Sequence, residues 1–68
     1  MTPREAEKII LADGWQLQEI QGSHHQYTHP TKPGKVTIPF HTKPKDLNRR
    51  TLNSILKQAG LKQLLHTY

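Results

Sequence analysis

The sequence predicts an α+β domain in the order α-β-β-β-α, a three-stranded antiparallel sheet with two helices on one face. Three observations predict it. Apolar residues recur at helical spacing near each end of the chain, at Ala6, Ile9 and Ile10 and again at Leu52, Ile55, Leu56 and Ala59. Between these segments the apolar period shortens to two, as it does in Val36-Thr37-Ile38. Two tight-turn signatures, Gly22-Ser23 and Pro33-Gly34, divide that middle stretch into three short strands.

The first helix opens on Thr2-Pro3-Arg4-Glu5. Thr2 is placed to cap it, Pro3 fits the first turn where a missing N–H costs nothing, and Glu5 completes a capping box. Asp13-Gly14 ends it, glycine being suited to the left-handed position just past a helix. From Trp15 an imperfect alternation runs to Ile20, with Trp15, Leu17 and Glu19 on one side and Gln16, Gln18 and Ile20 on the other. Gly22-Ser23 suits a II′ hairpin turn, which needs positive φ at its first central residue. The returning strand is expected over His24 to His29, stopped by Pro30, and the third over Val36 to Ile38, ended by Pro39. Phe40 to Asp46 has no usable period and reads as a surface loop. Asn48 caps the second helix and Gly60 ends it. The whole of residues 1–68 reads as one domain, with 61–68 as a short C-terminal extension, either one further helical turn or a frayed tail.

Composition narrows the function. At 68 residues, folding hides only about 60% of the surface that the unfolded chain exposes, so the core is thin. Apolar residues are 32% of the chain and cysteine is absent, which excludes a disulfide scaffold and a thiolate metal site. No apolar run approaches the roughly 20 residues that span a bilayer, and the first residues lack the apolar stretch of a secretion signal. A cytoplasmic protein with no membrane partner is expected. Ten Lys and Arg against five Asp and Glu give a net charge of +5 and a pI near 9.9. That balance points to a polyanionic partner, nucleic acid before an acidic protein or an anionic membrane.

Five histidines in so short a chain, with His24, His25 and His29 close together, supply groups able to take up and return a proton near neutrality. That suits metal-free ribonuclease chemistry, in which a base removes the ribose 2′-OH proton and the alkoxide attacks the adjacent phosphorus. The strand then breaks to a 2′,3′-cyclic phosphate and a 5′-OH. His24 directly follows a tight turn and would be held rigidly, while His25 points to the opposite face of a regular strand. His25, His29 and His41 could instead converge on zinc, although their spacing matches no zinc motif. No metal or cofactor is therefore expected. The basic residues form two groups, Lys32 and Lys35 around the Pro33-Gly34 turn, and Lys43, Lys45, Arg49, Arg50 and Lys57 along the loop and second helix. The second group, with the N–H groups of a helix start, is a candidate phosphate-contacting surface. Trp15 reads as core, and Tyr27 either stacks on a base or packs inward.

Several segments together resemble the HicA toxin family. They are Asp13-Gly14-Trp15, Gln21-Gly22-Ser23-His24-His25-Gln26-Tyr27, His29-Pro30-Thr31-Lys32-Pro33-Gly34-Lys35-Val36-Thr37-Ile38-Pro39, and the stretch from Leu52 through Ile55-Leu56-Lys57-Gln58-Ala59-Gly60-Leu61. The resemblance runs from about Pro3 to Leu61, and its most specific pieces are the G-S-H-H turn and the I-L-K-Q-A-G-L helix ending. It implies a fold like the double-stranded-RNA-binding domain and an endoribonuclease toxin, an mRNA interferase, that cleaves RNA without a required metal. It also implies a HicB-type antitoxin that covers the active face. The family's histidine, at the start of the second strand, falls on His24; a turn shifted by one residue places it on His25. The alternative reading is a non-catalytic RNA-binding module of the same layout, holding duplex RNA by shape and phosphate contacts.

Overall fold

A computed structural model describes residues 1–40 and 46–66. Its elements follow the predicted order: α1 (Pro3–Ala12), β1 (Gln16–Gln21), β2 (His24–Thr28), β3 (Val36–Pro39) and α2 (Arg49–Gln58), then a 3-10 helix over Lys62–His66. The strands form one antiparallel sheet in the order β1-β2-β3. The C-terminal stretch thus continues as a helical turn rather than fraying at Leu61.

Local chemistry sets the boundaries. The Thr2 hydroxyl accepts from the Glu5 N–H (3.2 Å), and the Glu5 carboxylate accepts from the Thr2 N–H (2.9 Å), which completes the capping box. Asn48 caps α2 by accepting from the Thr51 N–H at 2.7 Å. Gly22 has φ of 60°, as the first central residue of a II′ turn requires. At Gly14 φ is +105°, and a Cβ there would lie 2.8 Å from His29 Nε2. Gly14→Ala is therefore expected to cost on the order of 1–3 kcal/mol of stability, measured by denaturant unfolding.

The imperfect alternation of the first strand has a structural cause. The β1–β2 register slips between Leu17 and Glu19, so Leu17 pairs with Tyr27 while Ile20 pairs with His25. This bulge puts Leu17 and Ile20, three positions apart, on the same face of the sheet. That face is the one the helices cover, since Tyr27, Val36 and Ile38 on it are fully buried. Cover does not extend over β1, where Leu17 and Ile20 remain about half exposed, at 46% and 54%.

The core is Ala6, Ile10, Trp15, Tyr27, Val36, Ile38, Leu52, Ile55, Leu56, Ala59 and Leu61. Tyr27 belongs to it rather than to a base-stacking surface; its hydroxyl donates to the Glu7 carboxylate on α1. Burial, and then that hydrogen bond, push the Tyr27 phenol's pKa above its ordinary value. The N–H of Thr37 on edge strand β3 donates to the Gln58 side chain at 3.1 Å. That cap satisfies a strand-edge donor that would otherwise invite another chain.

Both helices run in the same direction. The Leu47 N–H donates to the Met1 carbonyl at 2.8 Å, which joins the starts of the two helices. At their other ends the Trp15 indole N–H donates to the Ala59 carbonyl at 3.3 Å. His29 and Lys32, just past the end of β2, reach Asp13 and Ala59. The helix ends therefore lie beside the end of β2, and the helix starts lie at the end that carries the β1–β2 turn. Across that turn the Phe40 N–H donates to the Ser23 carbonyl at 2.6 Å, fixing the exit of β3 beside it.

Candidate active site

His24 is the first residue of β2 and stands directly after the turn. It pairs with Gln21 on one side and Pro39 on the other. Because His25 and Tyr27 face the helices, alternation turns His24, Gln26 and Thr28 to the open face. His24 is exposed there. Anchored on both sides by strand pairing and preceded by a tight turn, its backbone has little freedom. The site lies at the end of the sheet where both helices begin, on the face that those helices leave open.

The neighbouring histidine is built differently. The His25 ring stacks on Phe40 with centroids 3.8 Å apart and planes at 19°. Its Nδ1 is buried and has no hydrogen-bond partner among the described residues. His25 thus packs against the rim of the core, on the opposite side of the sheet from His24.

At the start of α2, Arg49 and Arg50 are exposed. With Asn53, Ser54 and Lys57 they line an open groove of about 530 Å³ on the outer side of that helix. Leu52, Ile55 and Leu56 turn inward, which leaves the cations facing solvent. Three of the five lining residues are cationic and none is acidic, so the groove is positively charged. It opens on the helix layer, whereas His24 projects from the open face, and the end of the sheet lies between them.

Residues 3–61 match the family profile of the HicA toxin of bacterial toxin–antitoxin systems. The chain belongs to the HicA toxin family. No curated protein sequence matches it. Membership makes this HicA chain a toxin that is paired with an antitoxin. Among its described residues, no helix is long and apolar enough to cross a membrane.

The remaining residues singled out from the sequence lie elsewhere. Lys32 and Lys35 flank the turn before β3 and lie at the end of the sheet away from His24, since Pro39, not Val36, pairs with that residue. The Lys32 ammonium is engaged, donating to the Asp13 carboxylate and, at 3.1 Å, to the Ala59 carbonyl. It joins the ends of the two helices. Lys43 and Lys45 lie outside the described residues, as does His41. His29 has both ring nitrogens occupied: Nε2–H donates to the Asp13 carbonyl at 2.8 Å. Its Nδ1 accepts from the Thr31 and Lys32 N–H groups at 3.0 and 3.1 Å. His25 and His29 therefore sit at opposite ends of β2 and do not converge as zinc ligands. Among the described residues no three His, Asp or Glu side chains are grouped to hold a metal.

The hydrogen bond from Lys32 is the largest influence holding the Asp13 carboxyl below an aspartate's ordinary 3.8, and the charge of the same ammonium adds to it. A depressed folded-state pKa stabilises the protein above the unfolded value, and the contribution is lost as pH falls through the folded value. Asp13→Asn is thus expected to flatten the fall in melting temperature below about pH 4. Thermal unfolding across that range measures it.

Sequence reasoning missed the chain of side chains beside His24. Gln21 Nε2 donates to the Glu19 carboxylate (3.3 Å), and Gln26 Nε2 donates to Gln21 Oε1 (3.4 Å). The cross-strand pairs Gln21 with His24 and Glu19 with Gln26 put all four on the open face. The signal was present: a two-residue turn at Gly22-Ser23 pairs Gln21 with His24 and Glu19 with Gln26, which puts these polar side chains on one face.

Proposed function

We propose that this HicA toxin is a metal-independent endoribonuclease, an mRNA interferase, whose general base is His24 and whose inhibitor is a HicB-type antitoxin. The observation that carries the reading is the contrast among the histidines of the β2 segment. His24 is exposed on the open face, His25 is stacked on Phe40, and His29 has both ring nitrogens committed to backbone groups.

In the reaction, His24 takes the proton of a ribose 2′-OH and the resulting alkoxide attacks the adjacent phosphorus. The bond to the 5′-oxygen breaks, that oxygen takes a proton from water, and the products are a 2′,3′-cyclic phosphate and a 5′-OH. The nucleophile is supplied by the RNA itself, so no metal is needed to generate one. Arg49, Arg50 and Lys57, with the start of α2, provide positive charge for the phosphate chain. Lys35 adds charge at the far end of the sheet. Lys32 contributes less, because Asp13 and the Ala59 carbonyl already engage it. The antitoxin is expected to be acidic where it covers the cations of α2.

Purified protein incubated with a long RNA and EDTA should yield fragments ending in 2′,3′-cyclic phosphate. An RNA carrying a 2′-deoxy sugar at a mapped cleavage site should be left whole at that site. Intact RNA that is nonetheless bound would instead favour the non-catalytic module, which shares the layout and the charge.

A further inference from the structure

The open face beside His24 carries an ordered set of amides, and one group on it fixes how they point. A carboxylate can only accept hydrogen bonds, so Glu19 obliges Gln21 to present its NH₂ group. Gln21 must then turn its carbonyl oxygen to Gln26, and Gln26 must answer with its own NH₂. The orientation of both amides follows from the carboxylate at the end of the chain. What remains is the Gln26 carbonyl oxygen, an acceptor that this chain of hydrogen bonds does not use, with one further N–H beside it. Donating into a chain that ends on an anion makes that oxygen a stronger acceptor. Gln26 lies two residues beyond His24 on the same face, about 7 Å along the strand, and Gln21 is His24's direct cross-strand neighbour. A nucleotide with its ribose at His24 has its base within reach of this group.

We infer that Gln26, oriented by Gln21 and Glu19, forms a nucleobase subsite that favours adenine and cytosine, through the adenine 6-amino or cytosine 4-amino group, over uracil. The inference rests on the ribonuclease reading of His24 and adds to it the class of base beside the cleaved bond. The physical ground is donor and acceptor matching. Adenine and cytosine present an exocyclic amino donor where uracil presents a carbonyl, and an unstacked base in single-stranded RNA offers that edge to a side chain. Uracil has no amino group at that corner and offers the Gln26 oxygen only its recessed N3–H, beside a carbonyl.

The test measures binding, so that it stands whether or not the protein cuts RNA. The His24→Ala protein is titrated with short labelled oligomers of adenylate, cytidylate and uridylate, and the same series is run with Gln26→Leu added. Binding to adenylate and cytidylate should be about threefold to tenfold tighter than to uridylate, the range of one net hydrogen bond. Gln26→Leu should remove that preference while leaving uridylate affinity nearly unchanged. Glu19→Gln, which frees the amides to flip, should weaken the preference without abolishing binding. Equal affinity for the three oligomers, a preference that survives Gln26→Leu, or no binding of RNA at all would overturn the subsite. The ribonuclease reading fails by a different result, wild-type protein that leaves RNA uncut.

Discussion

Replacing His24 with alanine is expected to slow RNA cleavage by about 10²–10⁴-fold, the usual contribution of one general base, while the melting temperature stays within a degree or two. The side chain is exposed on the open face and is not part of the core, and its backbone is held by pairing with Gln21 and Pro39 whatever the side chain. His25→Ala should behave in the opposite way. It removes a ring stacked at 3.8 Å on Phe40, a contact of the kind worth about 0.5–1.5 kcal/mol, so stability falls. Cleavage then falls only as far as the neighbouring strand end loosens. Cleavage rates and thermal melts on the same two proteins separate these roles. Equal loss of activity in both variants with equal loss of stability would assign the site to neither histidine. Loss confined to His25→Ala would move the base to the helix-covered face and overturn the assignment.

Which parts of this were legible in the sequence follows from how local each signal is. Helix caps at Thr2 and Asn48, the turn at Gly22-Ser23 and the left-handed exits at Gly14 and Gly60 depend on a few adjacent residues, and the structure has them where the residues are. The strand order also followed, although only the β1–β2 connection is a two-residue turn; β2 ends at Thr28 rather than His29, and residues 29–35 reach β3 through a longer bend. The bulge was visible only as a fault in alternation, since the residue types around Gln18 do not say which face gains. Sorting the doublet was harder. Strand alternation separates His24 from His25, but which one meets the core depends on Phe40, some fifteen positions away in sequence. Lys32 illustrates the limit for charges. Nothing adjacent reveals that its ammonium lies against Asp13 and the end of α2, and its position beside a turn suggested a free cation. The amide chain from Glu19 to Gln26 was harder to see, being made by side chains on two strands; the Gly22-Ser23 turn sets their register, but which amides bond to which is not a local signal.

The largest loss of stability is expected at Trp15. It is 1% exposed and is the bulkiest residue in a core built from a few small elements. Truncating a buried tryptophan to alanine costs about 3–5 kcal/mol. A domain of this length has roughly 3–10 kcal/mol in all, at about 0.05–0.15 kcal/mol per residue. Trp15→Ala should therefore leave much of the protein unfolded at room temperature, read by far-ultraviolet circular dichroism against urea. Trp15→Phe separates packing from hydrogen bonding. It keeps a ring against the edge of His29, whose centroid lies 5.2 Å away, and removes the N–H that donates to the Ala59 carbonyl. That carbonyl still accepts from Lys32 at 3.1 Å, so it is not orphaned, and the loss should stay near the 0.5–1.5 kcal/mol of one net hydrogen bond, plus some lost packing volume. In the Lys32→Met background the same change leaves the carbonyl without either donor, and the loss in the double variant should exceed the sum of the two single losses. Strict additivity in that double-mutant cycle would mean that Trp15 and Lys32 do not act on the Ala59 carbonyl together.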